Sequence, residues 1–96
     1  MQPEITYYNK KDEKIKEIAY HPNGQKYYEA YIVNGECHRT DGPAFTQWYM
    51  NGQKEYETYY VNGLQILPEW FEDLGYNIEN DFSDPEILGM ILMHHG

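Results

Sequence analysis

Residues 20–35 read YHPNGQKYYEAYIVNG and residues 48–63 read WYMNGQKEYETYYVNG. A shift of 28 residues lays Asn23, Gly24, Gln25, Lys26, Tyr28, Glu29, Tyr31, Val33, Asn34 and Gly35 on identical residues between Asn51 and Gly63, and Tyr20 on Trp48. Asn-Gly therefore occurs four times, twice in each copy. Both residues tolerate the positive φ that a two-residue type I′ hairpin turn requires at its central positions. Each copy reads as strand, tight turn, strand, tight turn: a β-meander unit, present twice.

Working outward, residues 5–8 and 14–20 make a degenerate first hairpin around the polar stretch 9–13. Residues 26–33, 43–50 and 54–61 are the best strands, rich in β-branched and aromatic side chains, and 64–66 is a short sixth. Period-two alternation directs Tyr28, Ala30, Ile32, Tyr56 and Tyr60 towards the core, and Glu29 and Glu57 towards water opposite Lys26 and Lys54. Beyond Ile66 the period changes. Pro68 suits a first helical turn, Trp70, Phe71 and Leu74 share a face, and Gly75 is a natural stop. Ser83, Pro85 and Glu86 have the spacing of a capping box ahead of a second helix ending near Met93. The expected fold is α+β and mainly β, in a single domain over 1–96. An antiparallel meander of five or six strands occupies 5–66, and an acidic tail of two short helices over 67–96 covers one face or end of it.

At 96 residues the chain has room for one modest core. Aromatic residues make up 17%, too many for a disordered chain. There is neither a long apolar span nor a secretory leader after Met1, so the expected location is cytoplasmic, in the bacterial host if the chain is phage-encoded. Cys37 is the single cysteine, which rules out an intramolecular disulfide and a multi-thiolate zinc site. The net charge of −9 is polarised. The seven Lys and Arg all lie at or before Lys54, where seven carboxylates cancel them, and residues 55–96 hold the other nine acidic groups alone. Nucleic-acid binding is disfavoured by that sign, because phosphate neutralisation supplies most of such affinity.

The Asn-Gly-x-Lys, Tyr-Tyr and Tyr-x-x-Asn-Gly units resemble MORN-type repeats, in particular the antitoxin-like repeat proteins of bacteria and phages. The segment His38-Arg39-Thr40-Asp41-Gly42-Pro43-Ala44 is similar to a connector found in tandem in viral and phage repeat proteins. The resemblance spans 5–66 and implies a twisted sheet of hairpins that serves as a binding platform and not as a catalyst.

Several residue groups invite a chemical reading. Cys37, His38 and Asp41 could form a nucleophile and base, or join His21 around a metal, but adjacent strand residues point to opposite faces. A structural connector explains them better, with Asp41 capping the turn, Pro43 opening the next strand and Arg39 pairing with a carboxylate. His94 and His95 read as solvent-facing, and Glu29 and Glu57 as repeated outward residues. No catalytic residue, metal or cofactor is expected. The tyrosines exceed what the core can absorb, which favours a contact surface. The acidic stretch carries Glu69, Glu72, Asp73, Glu79, Asp81 and Asp84 among Trp70, Phe71, Tyr76, Ile78 and Phe82. Such an array imitates a nucleic-acid backbone towards a basic groove. The expected function is that of a small acidic binding protein that inhibits a basic partner, such as a nuclease, toxin or defence effector, in the manner of antitoxins and anti-CRISPR-type phage inhibitors. The carboxylates just named and Trp70 would carry the contact, with Tyr59 and Tyr60 as aromatic anchors. The alternative is a structural repeat module that self-associates, as a homodimer or larger, through its sheet edge.

Overall fold

The computed structural model describes residues 4–9 and 14–95. Strands β1 (Glu4–Asn9), β2 (Lys14–Tyr20), β3 (Lys26–Val33), β4 (Glu36–Cys37), β5 (Phe45–Trp48), β6 (Lys54–Val61) and β7 (Leu64–Ile66) precede three helices. These are α1 (Pro68–Glu72), α2 (Ile78–Asp81) and α3 (Pro85–His95). Every strand pairing is antiparallel, in the order β1-β2-β3-β5-β6-β7, with β4 also on β3. The fold is thus mainly β with a helical C-terminal part, as expected from the repeat and from the change of period beyond Ile66. Residues 10–13 of the first predicted turn lie outside the described residues.

One strand, β4, is additional to the alternation pattern. It sits 28 residues before Leu64 and Gln65 of β7, so the two units are β2-β3-β4 and β5-β6-β7. With two residues it is too short to show a period. It lies against the end of β3 (Ile32 opposite Cys37), while β5 takes the preceding stretch of the same edge (Ala30 opposite Phe45). β5 spans Phe45–Trp48 where 43–50 is expected: β4 takes the β3 edge at its first end, and the loop closed by Tyr49 and Gln53 takes over at its last.

The four Asn-Gly pairs fold in two ways. Asn34 and Gly35 (φ 51° and 82°) and Asn62 and Gly63 (49° and 81°) make the expected two-residue turns. At Asn23-Gly24 and Asn51-Gly52 the glycine alone has positive φ, 89° in each case. There the His21 N–H donates to Gln25 O at 2.8 Å and the Gly24 N–H to His21 O at 3.0 Å. Tyr49 with Gln53, and Gly52 with Tyr49, repeat those bonds at the same lengths. This is a three-residue loop, a type I turn closed by a left-handed glycine, in which Pro22 presets the first φ. The asparagine side chain then accepts from the backbone N–H of Gln25 (3.0 Å) or Gln53 (2.9 Å). That local bond explains why Asn serves a position where positive φ is not needed.

The helices cover the opposite face of the sheet from the one the alternation designates. Tyr59 and Val61 are 6% and 7% exposed and join Ile66, Phe71, Ile78, Phe82, Leu88 and Ile91 in one core, whereas Tyr56 is 45% exposed. On the other side Tyr28, Ile32 and Tyr60 are only half-buried, while Ala30 is buried at 3% as the alternation expects. The inversion has a local cause. The charged members of the Glu57 face stand at the start of β6 and pair off, Lys54 Nζ to Glu57 Oε2 at 3.1 Å, which leaves the end of that face apolar. The chain leaves β7 directly beside that patch, with Ile66 opposite Tyr59, so α1 packs there first.

The C-terminal part has three helices where two are expected. Gly75 ends the α1 segment at φ 83°, with its N–H on Glu72 O. Asn77 then caps α2, accepting from Glu79 N at 3.0 Å and Asn80 N at 3.3 Å. The cap of α3 is Asp84, one residue later than Ser83. It accepts from Glu86 N at 2.9 Å and Ile87 N at 3.3 Å, and Pro85 takes the first helical position.

Candidate functional site: an acidic helical module and a basic pocket

The core just described fixes the tail carboxylates in place. Phe71, Ile78, Phe82, Leu88 and Ile91 face inward, so the polar sides of α1, α2 and α3 face out. Glu69, Glu72, Asp73, Glu79 and Glu86 are exposed. The ion pairs among the described residues are Lys16–Glu29, Lys26–Glu29, Arg39–Asp41 and Lys54–Glu57, and none of them uses a carboxylate of the helices.

The other sequence-predicted contact residues separate from this set. Asp81 is half-buried and accepts the Asn77 N–H at 2.8 Å, and Asp84 is the α3 cap, so both carboxylates hold the backbone. Trp70 is half-buried, with its indole stacked on His95 at 4.1 Å. His95 is therefore a packing partner rather than a purely solvent-facing residue. Tyr59 is a core residue, its ring 4.6 Å from that of Phe82, and burial pushes its hydroxyl above the ordinary range with help from Glu57 and Glu79. It offers no surface as an anchor. Tyr60, next in the strand, lies on the far side of the sheet from the helices.

Glu29 and Glu57 hold equivalent places in the two units, Glu29 receiving Lys26 Nζ at 2.9 Å and Lys16 Nζ at 3.2 Å. Arg39 pairs with Asp41 through Nε at 2.8 Å and also reaches Pro43 O at 3.2 Å, the connector role expected of that segment. The Cys37 thiol is pushed up by burial and by Glu17 nearby, which keeps it in the poorly nucleophilic protonated form. His38 accepts the Asn62 N–H on Nδ1 at 2.9 Å.

The connector also shapes a pocket that reading by strand misses. Lys14, Lys16, Tyr31, Val33, His38, Arg39, Thr40 and Asp41 enclose about 520 Å³. Lys16 Nζ and the Arg39 guanidinium stand 5.4 Å and 4.1 Å from the centre of the Tyr31 ring. The sequence signal was the i, i+2 spacing of Lys14 and Lys16, which places both on the face of Tyr31 and Val33. An anion entering here competes with Glu29 and Asp41 for Lys16 and Arg39, so the pocket is largely self-neutralised. Among the described residues, the exposed carboxylates of the helices have no such cationic counterpart. No protein-family model, curated protein or solved structure matches the chain.

Proposed function

We propose that this protein is a non-enzymatic binding protein that inhibits a basic partner by occluding its nucleic-acid-binding or catalytic surface. A nuclease, toxin or defence effector suits the role, in the manner of an antitoxin or a phage anti-defence inhibitor. The observation that carries this reading is the set of exposed carboxylates Glu69, Glu72, Asp73 and Glu79, without an ion pair among the described residues, on a helical segment that a common core holds in place. Fixed charges of one sign speed the encounter with a cationic surface, and prior ordering lowers the entropic cost of binding. Asp81 and Asp84 support the array by capping, and Tyr59 supports it from the core.

The test is a pull-down from the native host with low-salt and then high-salt washes, followed by affinity measurements on the captured partner. Charge reversal at Glu72 and Asp73 should weaken binding far more than reversal at Glu36 and Glu55. Equal effects, or retention of the partner through high salt, count against the proposal. A second reading, a structural module that self-associates by strand addition, draws on β1, which among the described residues pairs with β2 alone.

A further inference from the structure

Among the described residues, the face of the sheet away from the helices is almost free of charge. Its apolar surface is made by Ile15, Tyr28, Ile32, Phe45, Tyr56 and Tyr60, which the strand registers place on one side. The rings of Tyr28, Phe45 and Tyr56 form a row across three strands, with centroids 5.5 Å and 6.0 Å apart and planes within 22° and 28°. Lys14 and Lys16 lie opposite Val33 and Tyr31 on the other face, and Lys26 and Lys54 bond Glu29 and Glu57 there. What remains is Glu17, which together with burial pushes the Tyr28 hydroxyl above its ordinary range, and Glu55 at the rim, bonded by Gln47 at 3.2 Å. Among the described residues of this face, a nucleic acid or an acidic protein finds no cation, and a basic one finds little charge to meet. A neutral, apolar and aromatic surface is the complement it needs, and the surface itself meets that description.

We infer that two copies of this chain pack face to face through the Tyr28–Phe45–Tyr56 side of their sheets, as a two-fold dimer with the helical modules on the outside. Size and charge both fit. The particle is a slab of 41 × 35 × 16 Å, so a broad face of it has room for the roughly 800 Å² per partner that a standard interface buries, with Tyr56 exposed and Ile15, Tyr28, Ile32, Phe45 and Tyr60 half-buried on that side. A slab that thin is one layer of sheet over much of its extent, whereas a stable domain normally buries its apolar face under a second layer. Two sheets pack about 10 Å apart, so the acidic helices on the two outer faces stay beyond the Debye length of about 8 Å at physiological salt. The net charge of −9 per chain therefore does not oppose this geometry. Aligned packing crosses the strands at about 30°, which lets the two aromatic rows interleave.

This dimer is independent of the proposed inhibitory surface, which lies on the opposite face. Sedimentation equilibrium of the full chain over a concentration series, at low and high salt, is the test. The expected result is a two-copy mass that persists in high salt, because apolar burial is not screened. Tyr56→Glu, with unchanged far-UV circular dichroism, should weaken dimerisation by about tenfold or more, since it places a carboxylate in the closed layer. Gln47→Arg repeats the test should Tyr56→Glu fail to fold, while Glu72→Lys should leave the dimer intact. A one-copy mass throughout overturns the inference, including the case in which the same face binds a different protein. So does a dimer indifferent to both face variants, which would place the contact elsewhere, as at a sheet edge.

Discussion

The indole of Trp70 and the imidazole of His95 lie parallel within 2°, their centroids 4.1 Å apart. This contact ties the last turn of α3 to α1 and spans the module that carries the acidic surface. His95→Ala should lower stability by about 0.5–1.5 kcal/mol, towards the lower end because His95 is exposed. Urea unfolding monitored by tryptophan fluorescence reads both the stability and the altered Trp70 environment. An unchanged midpoint would mean that the stack contributes nothing.

The core under the helices is small, so single truncations there weigh heavily. Phe82 is 1% exposed and touches the rings of Tyr59 and Phe71, at 4.6 Å and 6.3 Å between centroids. Phe82→Ala should cost about 3–5 kcal/mol, a large part of the roughly 5–15 kcal/mol that holds a domain together. Met93→Ala, at a site 88% exposed, should stay within about 0.5 kcal/mol of the parent. Urea denaturation of the two variants checks the contrast.

The repeat was legible because Asn-Gly turns and period-two strands are local, and the strand order follows from them. Which face would be covered was not legible. Alternation sorts residues into two sets but does not say which set meets the helices, and that choice was made by the apolar end of β6 and the exit of β7 at Ile66. The distinction between two kinds of Asn-Gly turn was partly visible, since Pro22 precedes only one of them and favours a type I turn. Met50, at the equivalent place in the second unit, hides the same turn. Within the acidic stretch, composition could not tell carboxylates that cap, such as Asp84, from carboxylates left free, such as Glu72, because the difference rests on helix boundaries set by packing. The basic pocket was missed because its members come from β2, β3 and the connector, which meet only through pairing.

Acid should unfold the protein in part through Glu29. Burial alone raises its carboxyl, but hydrogen bonds from Lys26, Lys16 and Tyr31 together with the Lys16 charge outweigh that and hold it below its ordinary value of 4.5. With the folded value below the unfolded one, its contribution is present in full above pH 4.5 and is lost as pH falls through the depressed folded value. Glu29→Gln should be less stable than the parent near neutrality, and the gap should shrink in acid. Thermal midpoints measured from neutral pH to below the carboxyl range test this. A gap that stays constant with pH would show that the ion pairs with Lys16 and Lys26 do not contribute.

The two three-residue loops predict a stabilising change. Pro22 and Met50 hold the same loop position, and the bonds around them match, 2.8 Å for the closing pair and 3.0 Å for the glycine N–H in both loops. Since Pro22 is accommodated in the first loop, a second loop closed by the same bonds should accept proline at the position of Met50. Met50 is 53% exposed, so little packing is lost, and its carbonyl, which accepts from Asn23 Nδ2 at 2.8 Å, is retained by proline. Met50→Pro should therefore raise stability by about 0.4–1 kcal/mol by narrowing the unfolded ensemble. The reciprocal Pro22→Met should lower it by a similar amount. Thermal unfolding of the two single variants and the double exchange decides the matter: opposite shifts that cancel in the double variant fit equivalent loops, and destabilisation by Met50→Pro would show that the second turn differs from the first.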